Sequence, residues 1–286
     1  MHSAGRFAPS PTGDLHFGSL VAAVASYLQA KSSGGRWLIR VEDIDPPREV
    51  PGSADRILRE LQRFGLLPDE PVLYQSQRTG AYEQALTLLL DQGKAYWCGC
   101  SRSELPPSGV YPGTCADGLP QGKSPRAVRL RVDDELICFT DRVQGPIEEN
   151  LQDSVGDFII KRADGLAAYQ LAVVVDDAFQ QITEVVRGAD LLSSTARQIH
   201  LQNCLGLPTP HYAHHPVALN PAGNKLSKRE DADPVSRLPV AKALEQALHF
   251  LGQACPSGMD LDETLGWAMD NWQLSQIPRT RQLFTL

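Results

Sequence analysis

Residues 6–19 read RFAPSPTGDLHFGS, and this stretch decides the fold because it joins a short strand to the start of a helix. The helix is expected over residues 16–31, with apolar residues on one face and Gly34 and Gly35 at its end. Gly13 and Gly18 let a ligand approach the backbone. Unpaired N–H groups and the helix dipole favour an anion such as a triphosphate there. An ordinary strand-to-helix turn stiffened by prolines explains the same spacing equally well.

The next residues continue the alternation of strand and helix. A second strand is predicted at residues 37–41, and it runs into the acidic turn at residues 42–45. A helix follows, with Ser53 as its expected N-cap and Gly65 at its end. Alternating strands and helices predict an α/β fold built on a parallel sheet.

After a third predicted helix at residues 77–92, the sequence changes to short strands, with five prolines between Pro106 and Pro125 and three crowded cysteines. This change indicates an insertion. Apolar runs at residues 158–160 and 171–175 then predict that the parallel sheet resumes, followed by a helix at residues 194–205. Two more helices are predicted at residues 240–251 and 261–272.

The bulk properties limit the class of protein. The chain has 286 residues, a net charge of −7 and 42% hydrophobic residues, without a run of about 18 apolar residues. Its first residues lack the order of a secretory signal, so we expect a cytoplasmic protein with no membrane partner. The acidic total argues against a protein that coats nucleic acid through its overall field, but it does not exclude tRNA as a partner. The six cysteines do not resemble a disulfide framework.

A second segment, at residues 224–229, places three cations and two small polar groups together. It reads NKLSKR and includes Lys225, Ser227 and Lys228. Phosphate clamping would use such groups, and a solvated loop would contain them too.

Together the two segments resemble the HIGH and KMSKS motifs of class I aminoacyl-tRNA synthetases. Here the motifs read HFGS at residues 16–19 and KLSKR at residues 225–229, so each departs from the ideal string at two positions. The flanking RFAPSPTG and RVEDID resemble the catalytic core of glutamyl-tRNA synthetases, and the likeness continues to Arg229. The short C-terminal part and the stretch IDPPREV at residues 44–50 are similar to the glutamyl-Q tRNA(Asp) synthetases, a shorter family of this class.

The resemblance implies a division of the chain. It predicts a class I synthetase-type Rossmann core in two pieces, residues 1–75 and 172–218, interrupted by a zinc-bearing α+β insertion of the acceptor type at residues 76–171. Residues 219–286 would form the KMSKS-like loop and a small helical segment that contacts the tRNA stem. An anticodon-binding domain is not expected.

The resemblance also implies an activity. Members of the family adenylate L-glutamate with ATP and transfer it to queuosine in the anticodon loop of tRNA(Asp), and we expect a monomer. Magnesium should accompany ATP, with ligands that the sequence does not identify. His16 and Lys228 are the expected catalytic residues. The residues expected to bind ATP are Pro9, His16, Gly18, Ser19, Lys225, Ser227 and Lys228.

A dicarboxylic amino acid presents two carboxylates and one ammonium group. By resemblance, the residues that bind glutamate are Arg6, Ala8, Ser10, Glu42, Tyr169 and Arg187. Arg6 and Arg187 supply forked donors for carboxylates, while Glu42 pairs with the ammonium group. Which arginine binds which carboxylate stays open.

The crowded cysteines are candidate metal ligands. Cys98, Cys100 and Cys115 offer three thiolates, whereas a structural zinc site needs four ligands, so a partly filled site and three buried thiols are both compatible with the sequence. Resemblance supplies Tyr111 as the fourth ligand, and we therefore predict zinc. His211, His214 and His215 are interpreted as stacked or buried rather than as a second metal centre.

Three other functions compete with this prediction. The chain could be a truncated glutamyl-tRNA synthetase that charges a tRNA 3′ end, or a tRNA-binding relative without activity. A different class I nucleotidyl transferase is disfavoured by the glutamate-type set of residues.

Overall fold

The computed structural model describes residues 3–220, 223 and 235–284. Strands and helices alternate over the first part of this range. The strands are β1 (Ala4–Phe7), β2 (Arg36–Val41), β3 (Leu73–Tyr74), β4 (Ala95–Cys98), β5 (Ala127–Leu130), β6 (Leu136–Asp141), β7 (Gly145–Asn150), β8 (Phe158–Lys161), β9 (Glu184–Gly188), β10 (His211–His215), β11 (Val217–Leu219) and β12 (Gln282–Phe284). The helices are α1 (Phe17–Lys31), α2 (Ser53–Arg63), α3 (Thr79–Asp91), α4 (Leu151–Ser154), α5 (Tyr169–Phe179), α6 (Leu192–Leu205), α7 (Val240–Phe250) and α8 (Leu261–Asn271).

A five-stranded parallel sheet forms the centre of the molecule, in the order β10-β9-β1-β2-β3. The chain leaves β1 toward β2 on one side and returns to β9 on the other. In sheets of this kind a crevice opens outside the carboxyl ends of the strands where the strand order switches direction. The α/β fold with a parallel sheet is therefore confirmed, and its switch point lies between β1 and β9.

Apolar side chains alternate between the two faces of this sheet. Trp37 and Ile39 pack in one core with α1, α2, α7 and α8, whereas Leu38 between them packs in a second core with α3, α5 and α6. The same alternation separates Val186 from Val185. This period of two is the pattern of a sheet buried on both faces, so the described chain forms three layers.

The segment between α3 and α5 builds antiparallel structure. Strands β4, β5 and β8 form a three-stranded sheet, and β6 and β7 form a hairpin. The hairpin reaches the central sheet, since the Arg142 backbone N–H donates to the Tyr212 carbonyl at 2.9 Å. The division into a two-piece core, an insertion and a C-terminal segment stays a prediction.

Two predicted strands were wrong in kind or in place. Residues 171–175 lie in helix α5, because a short apolar run does not distinguish a buried strand from a buried helix. Residues 158–160 do form a strand, but it belongs to the antiparallel sheet. Ser53 is the first residue of α2, and Gly52, with φ of 72°, occupies the N-cap position instead.

Other predictions concern cysteines and membranes. All six cysteines are free thiols in the structure. Among the described residues, no helix combines the length and the apolar character needed to cross a bilayer.

Candidate functional site

A cavity of about 590 Å³ opens at the carboxyl ends of β1, β2, β9 and β10. All six residues expected to bind glutamate line it, which are Arg6, Ala8, Ser10, Glu42, Tyr169 and Arg187. Four of the residues expected to bind ATP line it as well, namely Pro9, His16, Gly18 and Ser19. Lys225, Ser227 and Lys228 lie outside the described residues. The cavity thus brings residues near the N-terminus, from Arg6 to Glu42, together with Tyr169 and Arg187, which are distant in sequence.

The turn before α1 is fixed by side chains. His16 is the N-cap of α1, where its Nδ1 accepts from the Ser19 backbone N–H at 3.3 Å, and its Nε2 lies 2.9 Å from the Ser19 hydroxyl. Ser53 Oγ donates to the Gly13 carbonyl at 2.6 Å and accepts from the Gly13 N–H at 3.1 Å. Gly13 has φ of 142°, a conformation suited to glycine. The turn is therefore shaped before any anion binds at the helix start.

A buried ionic network supports the part of the cavity that Arg6 and Glu42 line. Arg6 donates through Nε to Asp177 Oδ1 at 3.1 Å, and Arg40 donates through Nη1 to the same oxygen at 2.8 Å. Arg40 is fully buried and also lies 3.5 Å from Glu42 Oε1. The neighbouring Asp176 accepts hydrogen bonds from Gln75, Arg78 and Tyr82. Each of these cations therefore has a carboxylate partner.

Glu42 presents a carboxylate to the cavity at the end of β2. Burial raises the pKa of Glu42, and the positive charges of Arg40 and Arg6 oppose that rise. Because burial makes the ionised form of a carboxylate unfavourable, a cation that binds the carboxylate directly stabilises that form. Glu42 is therefore suited to bind the ammonium group of an amino acid.

Arg187 differs from Arg6 and Arg40 in its partners. It is 5% exposed and donates to His214 Nε2 at 2.9 Å, to Thr195 Oγ1 at 3.0 Å and to the Leu191 carbonyl at 3.5 Å. Within the described part of the chain, none of its partners is a carboxylate and its Nη1 has no hydrogen-bond partner. A buried guanidinium without a direct counter-ion favours an anionic ligand.

Several functional side chains were missed from the sequence. Asp177 accepts hydrogen bonds from both Arg6 and Arg40, and Asp141 accepts a hydrogen bond from His214 Nδ1 at 2.6 Å. The adjacent carboxylates at residues 176 and 177, inside an apolar run, were a usable signal. No sequence signal pointed to Asp141, because it contacts His214 only when distant parts of the chain pack together.

His214 and His215 are both buried, as the sequence predicted, whereas the same prediction was wrong for His211, which is exposed at the start of β10. His214 stacks on Tyr212 with ring centroids 6.2 Å apart, and burial together with the nearby Arg187 charge lowers the pKa of His214 to about 4, although the hydrogen bond to Asp141 opposes the shift. His215 lines the cavity, and its Nδ1 donates to the Pro216 carbonyl at 2.8 Å. In the described structure its Nε2 has no partner, which leaves an acceptor at the cavity wall.

The predicted zinc ligands lie together in the segment between α3 and α5. Cys98, Cys100 and Cys115 place their sulfur atoms within 4.8 Å of one another. Tyr111 Oη lies 3.4 Å from Cys98 Sγ and 3.6 Å from Cys100 Sγ, and the Sγ atoms of Cys100 and Cys115 are 3.6 Å apart. Four ligands at about 2.3 Å from a tetrahedral zinc ion are separated by about 3.8 Å. The spacing of these four groups fits such an ion.

The charged form is favoured at one of the four groups, Cys98, whereas burial raises the pKa of Cys100 and of Tyr111. Burial disfavours the Cys98 thiolate, but hydrogen bonds from Tyr111 and Arg129 lower the pKa of Cys98 to about 7. Arg129 donates to Cys98 Sγ at 3.4 Å and stacks 3.6 Å from the Tyr111 ring centroid. Zinc binds thiolates, so a lowered pKa favours the ligand form.

Comparison with known proteins agrees with this fold and site. The sequence model of a family described as "tRNA synthetases class I (E and Q), catalytic domain" matches residues 4–108 and 117–245, so the parallel sheet and its cavity are those of a class I synthetase. A glutamyl-Q tRNA(Asp) synthetase of Dechloromonas aromatica is 55% identical over 96% of this chain and 95% of its own length, and one of Thiobacillus denitrificans is 54% identical over 96% and 94%. The chain belongs to this family of glutamyl-Q tRNA(Asp) synthetases.

A solved structure shares the whole fold. A glutamate tRNA ligase of Elizabethkingia meningosepticum, solved in complex with its amino acid, superposes with a TM-score of 0.85 at 25% identity. The match covers 100% of this chain and 67% of the ligase. The common part therefore contains the complete sheet, the cavity and the antiparallel segment.

Proposed function

We propose that this chain activates L-glutamate with ATP to form glutamyl-adenylate, and transfers the glutamyl group to queuosine in the anticodon loop of tRNA(Asp). The observation that carries the proposal is Arg187, a buried cation at the cavity wall whose described partners are all uncharged. The names of the curated relatives support the acceptor, since they refer to this tRNA.

The charges of the cavity match glutamate. Arg6 and Arg40 share the Asp177 carboxylate, so the structure already compensates part of their charge. Arg187 is left to bind a carboxylate of the substrate, while Glu42 binds the ammonium group. Glutamine would leave the guanidinium that binds the side-chain carboxylate without its anionic partner, which costs about 1–3 kcal/mol or more at a buried site. We therefore expect selection for glutamate without an editing step.

Adenylation requires alignment rather than a covalent enzyme intermediate. An oxygen of the glutamate α-carboxylate attacks the α-phosphorus of ATP, the bond to the β-phosphate breaks, and pyrophosphate leaves. The N-terminus of α1 faces the cavity with the positive end of its dipole, and His16 is its N-cap residue. His16 would hydrogen-bond the phosphates as charge develops, and Lys228, together with Lys225 and Ser227, would neutralise the departing pyrophosphate.

Transfer of the glutamyl group completes the reaction. A hydroxyl of queuosine attacks the carbonyl carbon of the adenylate, and AMP leaves with the electrons of the broken bond. Magnesium would accompany ATP as a counter-ion of its phosphates. Zinc held by Cys98, Cys100, Tyr111 and Cys115 would stabilise the fold around β4 rather than take part in either step.

Exchange of labelled pyrophosphate into ATP, with tRNA left out, tests the first step. We expect exchange with glutamate and none with glutamine or aspartate. Full glutamyl-tRNA synthetases are understood to need their tRNA for this step, so exchange without tRNA also separates the two families. Absence of exchange both with and without tRNA would identify an inactive relative.

The acceptor is tested with labelled glutamate and two matched tRNAs. Transfer is expected to tRNA(Asp) that carries queuosine, and not to the same tRNA with guanosine at that position. Nuclease digestion then locates the label. Label at the 3′-terminal adenosine would contradict the proposal and indicate a truncated glutamyl-tRNA synthetase.

A further inference from the structure

Three buried groups form a chain from the hairpin β6–β7 to the cavity. His214 Nδ1 donates to Asp141 Oδ2 at 2.6 Å, and Arg187 Nε donates to His214 Nε2 at 2.9 Å. Arginine is only a donor, so His214 Nε2 has to accept and the ring proton has to lie on Nδ1. The carboxylate of Asp141 stabilises this tautomer, because it accepts the Nδ1 proton.

The position of Asp141 is fixed independently of the imidazole. Its Oδ1 accepts hydrogen bonds from the backbone N–H groups of Val143, Gln144 and His214 at 3.0, 2.8 and 3.1 Å. This leaves Oδ2 to face His214 Nδ1. The paired strands then set the next step, since His214 lies beside Arg187 in the register of β10 and β9. Neither Asp141 nor His214 is among the described residues that line the cavity.

The contacts with His214, Thr195 and the Leu191 carbonyl together fix the plane of the Arg187 guanidinium. His214 holds Nε and Thr195 holds Nη2, so Nη1 is the nitrogen left without a partner in the described structure. A guanidinium that is held on two sides loses little conformational entropy when it binds a carboxylate. The groups that accept hydrogen bonds from Arg187 are uncharged, so they do not neutralise the guanidinium charge that the substrate carboxylate would bind.

We propose that Asp141 and His214 are positioning residues of the amino-acid site, and that they act through Arg187. The inference rests on the function proposed above, because Arg187 is assigned there to a carboxylate of glutamate. It also means that the hairpin β6–β7, outside the parallel sheet, contributes to affinity for the amino acid.

The variant Asp141→Asn tests the chain of contacts with minimal change in shape. The amide oxygen of the new side chain can keep the three backbone hydrogen bonds, while its NH₂ group would donate toward His214 Nδ1. The ring proton would then move to Nε2 and oppose the Arg187 Nε–H. We expect the KM for glutamate to rise about tenfold or more, with the KM for ATP within about twofold of wild type.

The imidazole tautomer gives a readout that a general loss of stability would not produce. Long-range ¹H–¹⁵N spectra of the wild-type protein without substrate should show His214 protonated at Nδ1, and its signals are assigned by their absence in His214→Gln. In Asp141→Asn we expect protonation at Nε2. Wild-type His214 protonated at Nε2 would overturn the proposal, and this result does not depend on the folding of Asp141→Asn.

Two controls separate the possible causes of failure. His200→Asn removes a different buried imidazole, which lies in α6 and hydrogen-bonds the Arg131 carbonyl through Nε2 at 2.7 Å. This variant should leave the KM for glutamate unchanged. An unchanged KM for glutamate in Asp141→Asn would overturn the inference while the activity of the wild type stands. Absence of glutamate-dependent exchange in the wild type would contradict the proposed function, whatever the tautomer.

Discussion

The Asp177 carboxylate is engaged on both oxygens by Arg6, which donates to it through Nε at 3.1 Å and through Nη2 at 3.5 Å. The contact joins helix α5 to strand β1 beneath the cavity. Arg40 shares the same carboxylate. Although burial disfavours the charged form, these two guanidinium groups lower the pKa of Asp177, so its carboxylate stays ionised.

We expect Asp177→Asn to weaken both the fold and the amino-acid site. Two buried cations would lose their shared counter-ion, which costs about 3–5 kcal/mol at a buried ion pair. The free energy of unfolding, measured in urea, should fall by that amount, and the KM for glutamate should rise. Asp270→Asn is the matched control, because Asp270 is exposed on α8. A variant as stable as wild type would show that the network does not depend on this charge.

Two substitutions of His16 should separate its structural role at the N-cap from its expected catalytic role. His16→Asn keeps an acceptor at the N-cap, whereas His16→Ala removes it and should lower the unfolding free energy by about 1 kcal/mol. Both variants lose the imidazole Nε2 that would donate to the phosphates, and the shorter amide of asparagine does not replace it at the same position, so the pyrophosphate exchange rate should fall about a hundredfold. Denaturation and exchange are measured on the same samples. Full exchange activity in His16→Asn would restrict His16 to its N-cap role.

Acidification should weaken glutamate binding through Glu42. The carboxylate binds the ammonium group only when ionised, and burial raises the pKa of Glu42 above the ordinary value. As the pH falls through this raised pKa, kcat/KM for glutamate should decline. The decline should begin at a higher pH than it would for a glutamate side chain with an ordinary pKa.

The control for this titration is Glu42→Gln, which cannot ionise. Its kcat/KM for glutamate should be about a hundredfold lower at neutral pH and should no longer decline over the same pH interval. The KM for ATP serves as an internal reference. An identical decline in the variant would assign the titration to another group.

The cysteine cluster should bind about one zinc ion per chain. Metal analysis of protein purified without chelator checks this number, and Cys100→Ser should lower it. Tyr111→Phe keeps three thiolates and should retain zinc with lower affinity. Cys138→Ser is the matched control, since Cys138 is an exposed thiol on β6. Wild-type protein without metal would contradict the prediction.

The sequence predicted those residues of the candidate site that lie within short continuous motifs. The turn before α1, the end of β2 and the end of β9 each contain their functional residues locally, so Arg6, Glu42 and Arg187 could be named from motif likeness. The cysteines and Tyr111 were also predicted together, and the structure places all four side chains in one cluster.

The sequence did not predict the residues that hold those side chains. Asp177 reaches Arg6, and Asp141 reaches His214, only after distant parts of the chain have packed together. No spacing rule connects such pairs. The apolar run before Asp176 was interpreted as a strand for a related reason, because burial on all sides hides the period of a helix.

The order of strands in the sheet has a consequence for biosynthesis. Strand β1 is synthesised before the other strands of this sheet, yet it becomes the middle strand, and its second neighbour begins at Glu184. One edge of β1 therefore stays open while the whole antiparallel segment is made, and open edges pair readily with other chains. We expect the nascent chain to need protection during this interval, and the cavity to form only after His215 has emerged.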